Sequence, residues 1–230
     1  MKLGDNIVIS GLTAAGKTTH SRLLAAFLDY EYVSATELVM AIAGIKNTTT
    51  DRVWFRGDAK VRKALTSIET AKELTRQLTE LAASKRHVVF DSWGLAWAFD
   101  GPLVKIWIES DRLSRSWKCY VSQGAAPTLS VVECKQLMDE KDLATRKTFS
   151  QEYGIDIFAD RDVFDIVVDN SWLIRAPTRD AADAGILRFD ETLRKVFSQL
   201  LHGQPLDDLV GRESSSPDIG YEGVQVRAIR

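Results

Sequence analysis

Residues 11 to 18 read Gly-Leu-Thr-Ala-Ala-Gly-Lys-Thr, a complete G-x-x-x-x-G-K-T octet, and nothing else in the chain limits its fold as strongly. The octet lies between an apolar run, Asn6-Ile7-Val8-Ile9-Ser10, and a helical pattern from Ser21 to Leu28. A strand leading in and a helix leading out turn the octet into a loop whose backbone N–H groups converge on anionic oxygens. Gly11 and Gly16 permit the compact turn, and the helix beginning near Lys17 adds its positive N-terminal end. Lys17 is expected to reach the outer phosphates of a nucleotide, and the Thr18 hydroxyl to ligate Mg²⁺. The candidate phosphate-holding residues are therefore Gly11, Thr13, Ala14, Ala15, Gly16, Lys17, Thr18 and Thr19.

Beyond the octet, apolar strands alternate with helical patterns. Tyr32-Val33-Ser34 reads as a short extended piece, and 36–43 as a helix. A long helix is expected from an Asp58 cap to about Ser84, with Val61, Leu65, Ile68, Ala71, Leu74, Leu78 and Leu81 at helical spacing. His87 to Asp91, Leu103 to Ile108 and Phe164 to Val168 read as strands. The charged stretch from about Asp111 to Tyr153 reads as mostly helical, and a last helix spans about 181–201. This order predicts an α/β fold of the P-loop NTPase type, a parallel sheet flanked by helices with its ligands at the strands' carboxyl ends. From Gly203 to Arg230 the periodicity is lost, which predicts a flexible or loosely docked tail after a P-loop domain of residues 1–202.

A net charge of −2, with basic and acidic residues intermixed, gives no electrostatic reason to expect nucleic acid as a partner. No apolar stretch approaches the length of a membrane span, so no membrane partner is expected either. Cys119 and Cys134 lack metal-ligand spacing and read as reduced thiols of a cytoplasmic protein.

Asp91 closes an apolar strand, the position of a carboxylate that holds Mg²⁺ directly or through water. Asp91-Ser92-Trp93-Gly94 also spells the D-x-x-G of switch GTPases. Two features oppose that reading: no N-K-x-D element is present, and the interval from loop to Asp91 is filled by helical pattern instead of another long strand.

The succession of phosphate loop, helical insertion, acidic strand end and charged segment resembles the nucleoside monophosphate kinases. Within them the chain is most similar to the cytidylate kinase-like family. The likeness rests on Tyr32-Val33-Ser34-Ala35 with Glu37-Leu38, on Tyr153-Gly154-Ile155-Asp156-Ile157 with Asp160, and on Phe164 to Asp169. It covers roughly residues 5 to 172. It implies ATP and Mg²⁺ as cofactors and a small phosphorylated acceptor, CMP or dCMP first. It also implies an acceptor-binding insertion at about 34–84 and a mobile lid at about 111–153. The chain departs from the family where an arginine usually follows the strand-end acid, since here Ser92-Trp93 follow Asp91. Aligned on Tyr153, the family's two lid arginines fall at Lys141 and Thr148, beside Arg146 and Lys147. Lys is a point charge without the guanidinium fork, and Thr carries no charge. Three readings stay open: neighbouring cations substitute, the acceptor is not CMP, or transfer is weakened.

The expected catalytic set is Lys17, Asp91, Lys141 and Arg146, with Thr18 and Asp91 as metal ligands. Arg112 and Arg115 are candidates for packing on ATP's base or reaching its phosphates; the competing reading of every lid cation is a solvated surface charge. Ser34, Arg56, Arg62 and Trp93 are the candidate acceptor-binding residues, Arg56 first among them. Trp93 and Trp97, four apart, serve either core packing or an apolar platform. Asp156, Asp160 and Asp162 are expected to order the lid hinge through Arg pairs. Both a monomer and a homodimer are compatible with these features.

Overall fold

Strand β1 (Asn6–Gly11) is buried along its whole length, so it must be covered on both faces, as parallel strands are. The computed structural model describes residues 5–45, 67–202, 204 and 225–228. It sets β1 inside a six-stranded sheet of order β2-β3-β1-β4-β5-β6. The other strands are β2 (Glu31–Ser34), β3 (Val88–Asp91), β4 (Leu103–Glu109), β5 (Ile166–Asp169) and β6 (Gln225–Ala228). The first five run parallel, and β6 pairs antiparallel with β5. The chain leaves β1 toward the β2 edge and later crosses to β4 on the opposite side. The loop after β1 therefore lies where strand order reverses, the position at which open α/β sheets bind ligands.

Alternating residues feed two cores. On one face Ile7, Ile9, Val89, Ile106, Ile108 and Val168 pack against Leu24 of α1 (Lys17–Leu28) and against Phe189, Leu193 and Phe197 of α7 (Arg179–Leu201). On the other, Val8, Phe90, Trp107 and Val167 meet Leu78 and Ala82 of α3 (Ile68–Ser84) and Leu95 of α4 (Leu95–Ala98). Full burial of a large apolar side chain of this kind stabilises by roughly 1.5–3 kcal/mol. Asn6, fully buried, fastens α3 to the sheet: its Nδ2 donates to the Ala82 and Lys85 carbonyls at 3.0 and 2.9 Å, and its Oδ1 accepts from Val88 N at 3.1 Å.

Helix α2 (Ala35–Ile42) follows β2 directly. The long helix expected from Asp58 instead starts at Ile68, because Ser67 takes extended geometry and its hydroxyl accepts from Thr70 N at 3.3 Å, as an N-cap does. Asp58, Arg56 and Arg62 lie outside the described residues. The charged stretch after β4 forms two helices, α5 (Arg112–Ser122) and α6 (Val131–Tyr153). Asp111 caps α5, accepting from Leu113 N and Ser114 N, and α6 opens on a Ser130–Glu133 capping box. The two pack through Cys119, Cys134 and Met138, both cysteines being free thiols. The region expected as a loose tail contributes β6 at 225–228, where an extended segment supplies the pairing that the edge of β5 otherwise lacks. Among the described residues no helix is long and apolar enough to cross a membrane.

Candidate active site

The phosphate loop is shaped by what its glycines avoid. Gly11 has φ 151°, and a Cβ there would stand 2.7 Å from the Ile108 carbonyl of β4. Gly16, at φ 103°, occupies the left-handed region immediately before α1 begins at Lys17. Ala14 adopts φ 60° without being glycine, a strained turn held by its surroundings. Ala15 is fully buried and its N–H donates to Leu12 O at 3.2 Å.

Lys17, Thr18 and Asp91 meet at the mouth of this loop. The register pairs Ile9 with Asp91, so the carboxylate ends its strand beside the turn. Thr18 Oγ1 donates to Asp91 Oδ2 at 2.5 Å, and the Tyr32 phenol donates to the same oxygen at 3.3 Å. Burial, reinforced by Asp91, holds the Tyr32 phenol well above its ordinary range. The Lys17 ammonium donates to Leu12 O at 2.9 Å and stands 4.9 Å from the centre of the Trp93 ring. Burial lowers Lys17 to about 8, Asp91 opposes the shift, and nearby Lys141 adds to it. Lys141 is itself lowered by burial, with Asp142 and Asp91 opposing. Two lysines and a carboxylate thus sense one another's charge at the loop mouth.

Two polar clusters brace the loop from outside. Thr13 N donates to Asp142 Oδ1 at 3.0 Å, while Arg115 Nη1 donates both to Asp142 Oδ2 at 2.5 Å and to Thr13 O at 3.1 Å. All three residues are buried, so α5 and α6 grip the tip of the loop through a desolvated ion pair. At the other end Asn170 Nδ2 donates to Ala15 O at 2.8 Å. Lys118 Nζ donates to Asn170 Oδ1 at 2.5 Å and to Ser110 Oγ at 2.9 Å, and lies 3.5 Å from Ala15 O.

Cavities flank the loop on either side. The first, about 150 Å³, lies between α2, α3, α4 and α6, and its lining includes Thr36, Thr70, Ser92, Trp93, Lys141 and Phe149. The second, about 140 Å³, runs from Gly16 and Thr19 along Lys118 and Asn170 to α7. Gly94, the glycine of the D-x-x-G element, admits α6: a Cβ there would stand 3.0 Å from Phe149 Cζ.

Against the expected residues, Trp93 and Lys141 line the first cavity and Thr19 the second. Trp97 belongs to the core, its ring edge-on to Phe164 at 5.0 Å and to Trp107 at 6.1 Å. Ser34 serves as the N-cap of α2, accepting from Glu37 N at 3.3 Å, and does not line the cavity. Arg115 reaches the loop, though by donating to the Thr13 carbonyl and to Asp142. Arg112 does not: it is exposed and paired with Asp139 on the neighbouring helix. Arg146 is likewise held elsewhere, paired with Asp156 and stacked 4.8 Å over Phe158, because its place on α6 points it toward the segment after Gly154. Asp156 thus stands in an Arg pair, the kind of contact expected of it. The sequence assigns no contact at the loop to Tyr32, Asp142, Lys118 or Asn170. The one available signal was for Asn170, which immediately follows a strand's carboxyl end; the others depend on helix phase and long-range contact.

The model of the cytidylate kinase-like family matches residues 6–172. Cytidylate kinase of Pyrococcus abyssi is 27% identical over 165 residues, covering 72% of this chain and 84% of that protein. Cytidylate kinase of Pyrococcus furiosus is also 27% identical over 165 residues, covering 72% and 79%. Among solved structures, an uncharacterized protein from Eubacterium ventriosum has a TM-score of 0.50 at 11% identity, covering 82% of this chain and 99% of that one. That likeness bears on the fold alone. The family match spans most of the chain and runs from the first sheet strand through the segment after β5, so this protein belongs to the cytidylate kinase-like family.

Proposed function

We propose that this chain passes the terminal phosphoryl group of ATP to a small acceptor held in the cavity lined by Trp93 and Lys141, with CMP or dCMP as the first acceptor to test. The kinase class follows from family membership; the acceptor and the roles of individual residues are our assignment. The observation that carries it is the meeting of Lys17, Thr18 and Asp91 at the loop mouth, next to a cavity that contains Lys141. Phosphoryl transfer needs cations converging on charge that spreads over the transferred oxygens, and an acceptor oxygen in line with the bond to ADP. Backbone N–H groups of 11–18 would cradle the phosphates, and Lys17 would leave Leu12 O to neutralise the transferring group. Lys141 would approach that group from the acceptor side. The adjacent oxygens of Thr18 and Asp91 are the hard donors that Mg²⁺ prefers, and bound there with ATP it would neutralise the phosphates. The second cavity, starting at Gly16 and Thr19, has the position for the nucleoside of ATP. The insertion and the α5–α6 lid would exclude water from the transfer, in the cytoplasm.

A second reading keeps the chemistry and changes the acceptor. Among the described lining residues the cavity offers one cation, Lys141, amid hydroxyls and the rings of Trp93, Phe149 and Tyr153. A pocket of that make-up suits an acceptor less highly charged than a nucleoside monophosphate. The deciding experiment is ADP release from Mg·ATP with CMP, dCMP, UMP, AMP, dTMP and non-nucleotide phosphates and alcohols. Stimulation by CMP or dCMP supports the first reading. Silence across nucleotides with stimulation by another acceptor supports the second. ATP binding with no stimulated turnover would refute both.

A further inference from the structure

We propose that Lys118 and Asn170 form a clamp on the back of the phosphate loop that sets the orientation of the Ala15–Gly16 peptide, making them positioning residues for the nucleotide. The inference rests on the kinase reading above. A trans peptide holds its C=O and N–H on opposite sides, so whatever grips the Ala15 carbonyl also aims the Gly16 N–H. Asn170 Nδ2 grips that carbonyl at 2.8 Å from the end of β5, and Lys118 Nζ lies 3.5 Å from it while donating to Asn170 Oδ1. Asn170 cannot turn its amide around without facing its own Nδ2 toward the ammonium, so Lys118 fixes which end meets the loop. Ser110 Oγ, at 2.9 Å from Lys118, ties the assembly to the end of β4. Ala15, Ser110 and Asn170 are all buried. Gly16 sits at a left-handed φ of 103° that its missing Cβ permits, so its orientation depends on such restraint from its neighbours.

The clamp also carries charge. The groups facing Lys118 are Asp111 and Arg115 from its own helix, Asp169 from β5 and His20 from α1. His20 is kept neutral, lowered by burial to about 3. Burial brings Lys118 down to about 7, with Asp111 and Asp169 opposing and Arg115 adding to the shift. Bound phosphate favours the cationic form and raises Lys118 above that value, so the clamp's contribution is full below about 7 and is lost as pH climbs from there through the raised bound-state value.

The test is equilibrium binding of Mg·ATP by calorimetry to the full chain and to Asn170→Leu, Lys118→Met and Lys118→Arg, at pH 6 and 8.5. Asn170→Leu and Lys118→Met are expected to weaken binding about tenfold or more, since each leaves a buried polar group without its partner. Lys118→Arg, ionised at both pH values, should restore affinity and flatten the pH dependence relative to wild type, with Lys17 and the titration of ATP common to both. Wild-type affinity in Lys118→Met, or the same pH profile for wild type and Lys118→Arg, would overturn the clamp. That comparison needs no variant with a disrupted core, so it decides the matter even where Asn170→Leu fails to fold. A wild-type chain that binds no Mg·ATP would instead overturn the kinase reading beneath it.

Discussion

Replacing Asp142 with alanine removes the carboxylate on which the tip of the phosphate loop is built. The Arg115 side chain is 7% exposed and that of Asp142 3%, so the pair is desolvated on both sides. Without Asp142, Arg115 keeps, among the described residues, the Thr13 O acceptor at 3.1 Å, and Thr13 N loses the carboxylate that accepts from it at 3.0 Å. Removing one partner of a buried ion pair costs about 3–5 kcal/mol, chiefly through the charge left behind. With about 2–4 °C per kcal/mol for a domain of this size, Asp142→Ala should lower the melting temperature by roughly 6–20 °C. Asp142→Asn keeps an acceptor for Thr13 N and should fall between. The double variant Arg115→Met with Asp142→Leu removes both charges and should recover most of the loss, because well-packed apolar residues replace such pairs at little cost. Thermal and urea unfolding of the singles and the double, read as a double-mutant cycle, measures the coupling. A loss under about 1 kcal/mol for Asp142→Ala would mean that the pair is hydrated, and would refute the grip of α5 and α6 on the loop.

Lys17→Ala should reduce ADP release by about a thousandfold with an unchanged unfolding midpoint, because it removes a charge from the transition state and no core contact. Full activity in that variant would remove Lys17 from the chemistry. Asp91→Asn should raise the Mg²⁺ concentration for half-maximal turnover by about ten- to a hundredfold, and an unaltered Mg²⁺ dependence would reassign Asp91 to a purely structural partner of Thr18. Gly94→Ala drives a methyl toward Phe149 at 3.0 Å and should cost about 1–3 kcal/mol while raising the acceptor's KM more than that of ATP. Arg56→Ala should likewise raise the acceptor's KM selectively, and equal effects on both substrates would exclude Arg56 from the pocket.

Local chemistry is what the sequence by itself determined. The octet, the strand before it and the helix after it are dictated by glycine conformation and by apolar residues a few positions apart. The parallel sheet follows from strands that are apolar throughout, as in Ile7-Val8-Ile9 and Val88-Val89-Phe90. Asp91 was legible because a carboxylate at a strand's end lands at the sheet's binding edge whatever the rest of the chain does. The start of α3 was not: residues at helical spacing carry no mark that Ser67 will be its N-cap.

Tertiary structure alone decided which charges face the site. Arg112, Arg115, Lys118, Lys141 and Arg146 are indistinguishable as cations on polar helices, and their fates turn on helix phase and on partners far along the chain. Arg112 and Arg115 are three residues apart on α5, yet one is exposed against Asp139 and the other buried against Asp142. Lys118 finds Asn170 across 52 positions, and Tyr32 finds Asp91 across 59. The first contact exists only once β4 and β5 have brought their ends beside the loop, and the second only once β2 lies against β3. The same holds for β6, whose 225–228 becomes a strand because the edge of β5 offers it unpaired backbone groups. Sequence sets what each residue can do; packing of the sheet and its helices determines which of them meet.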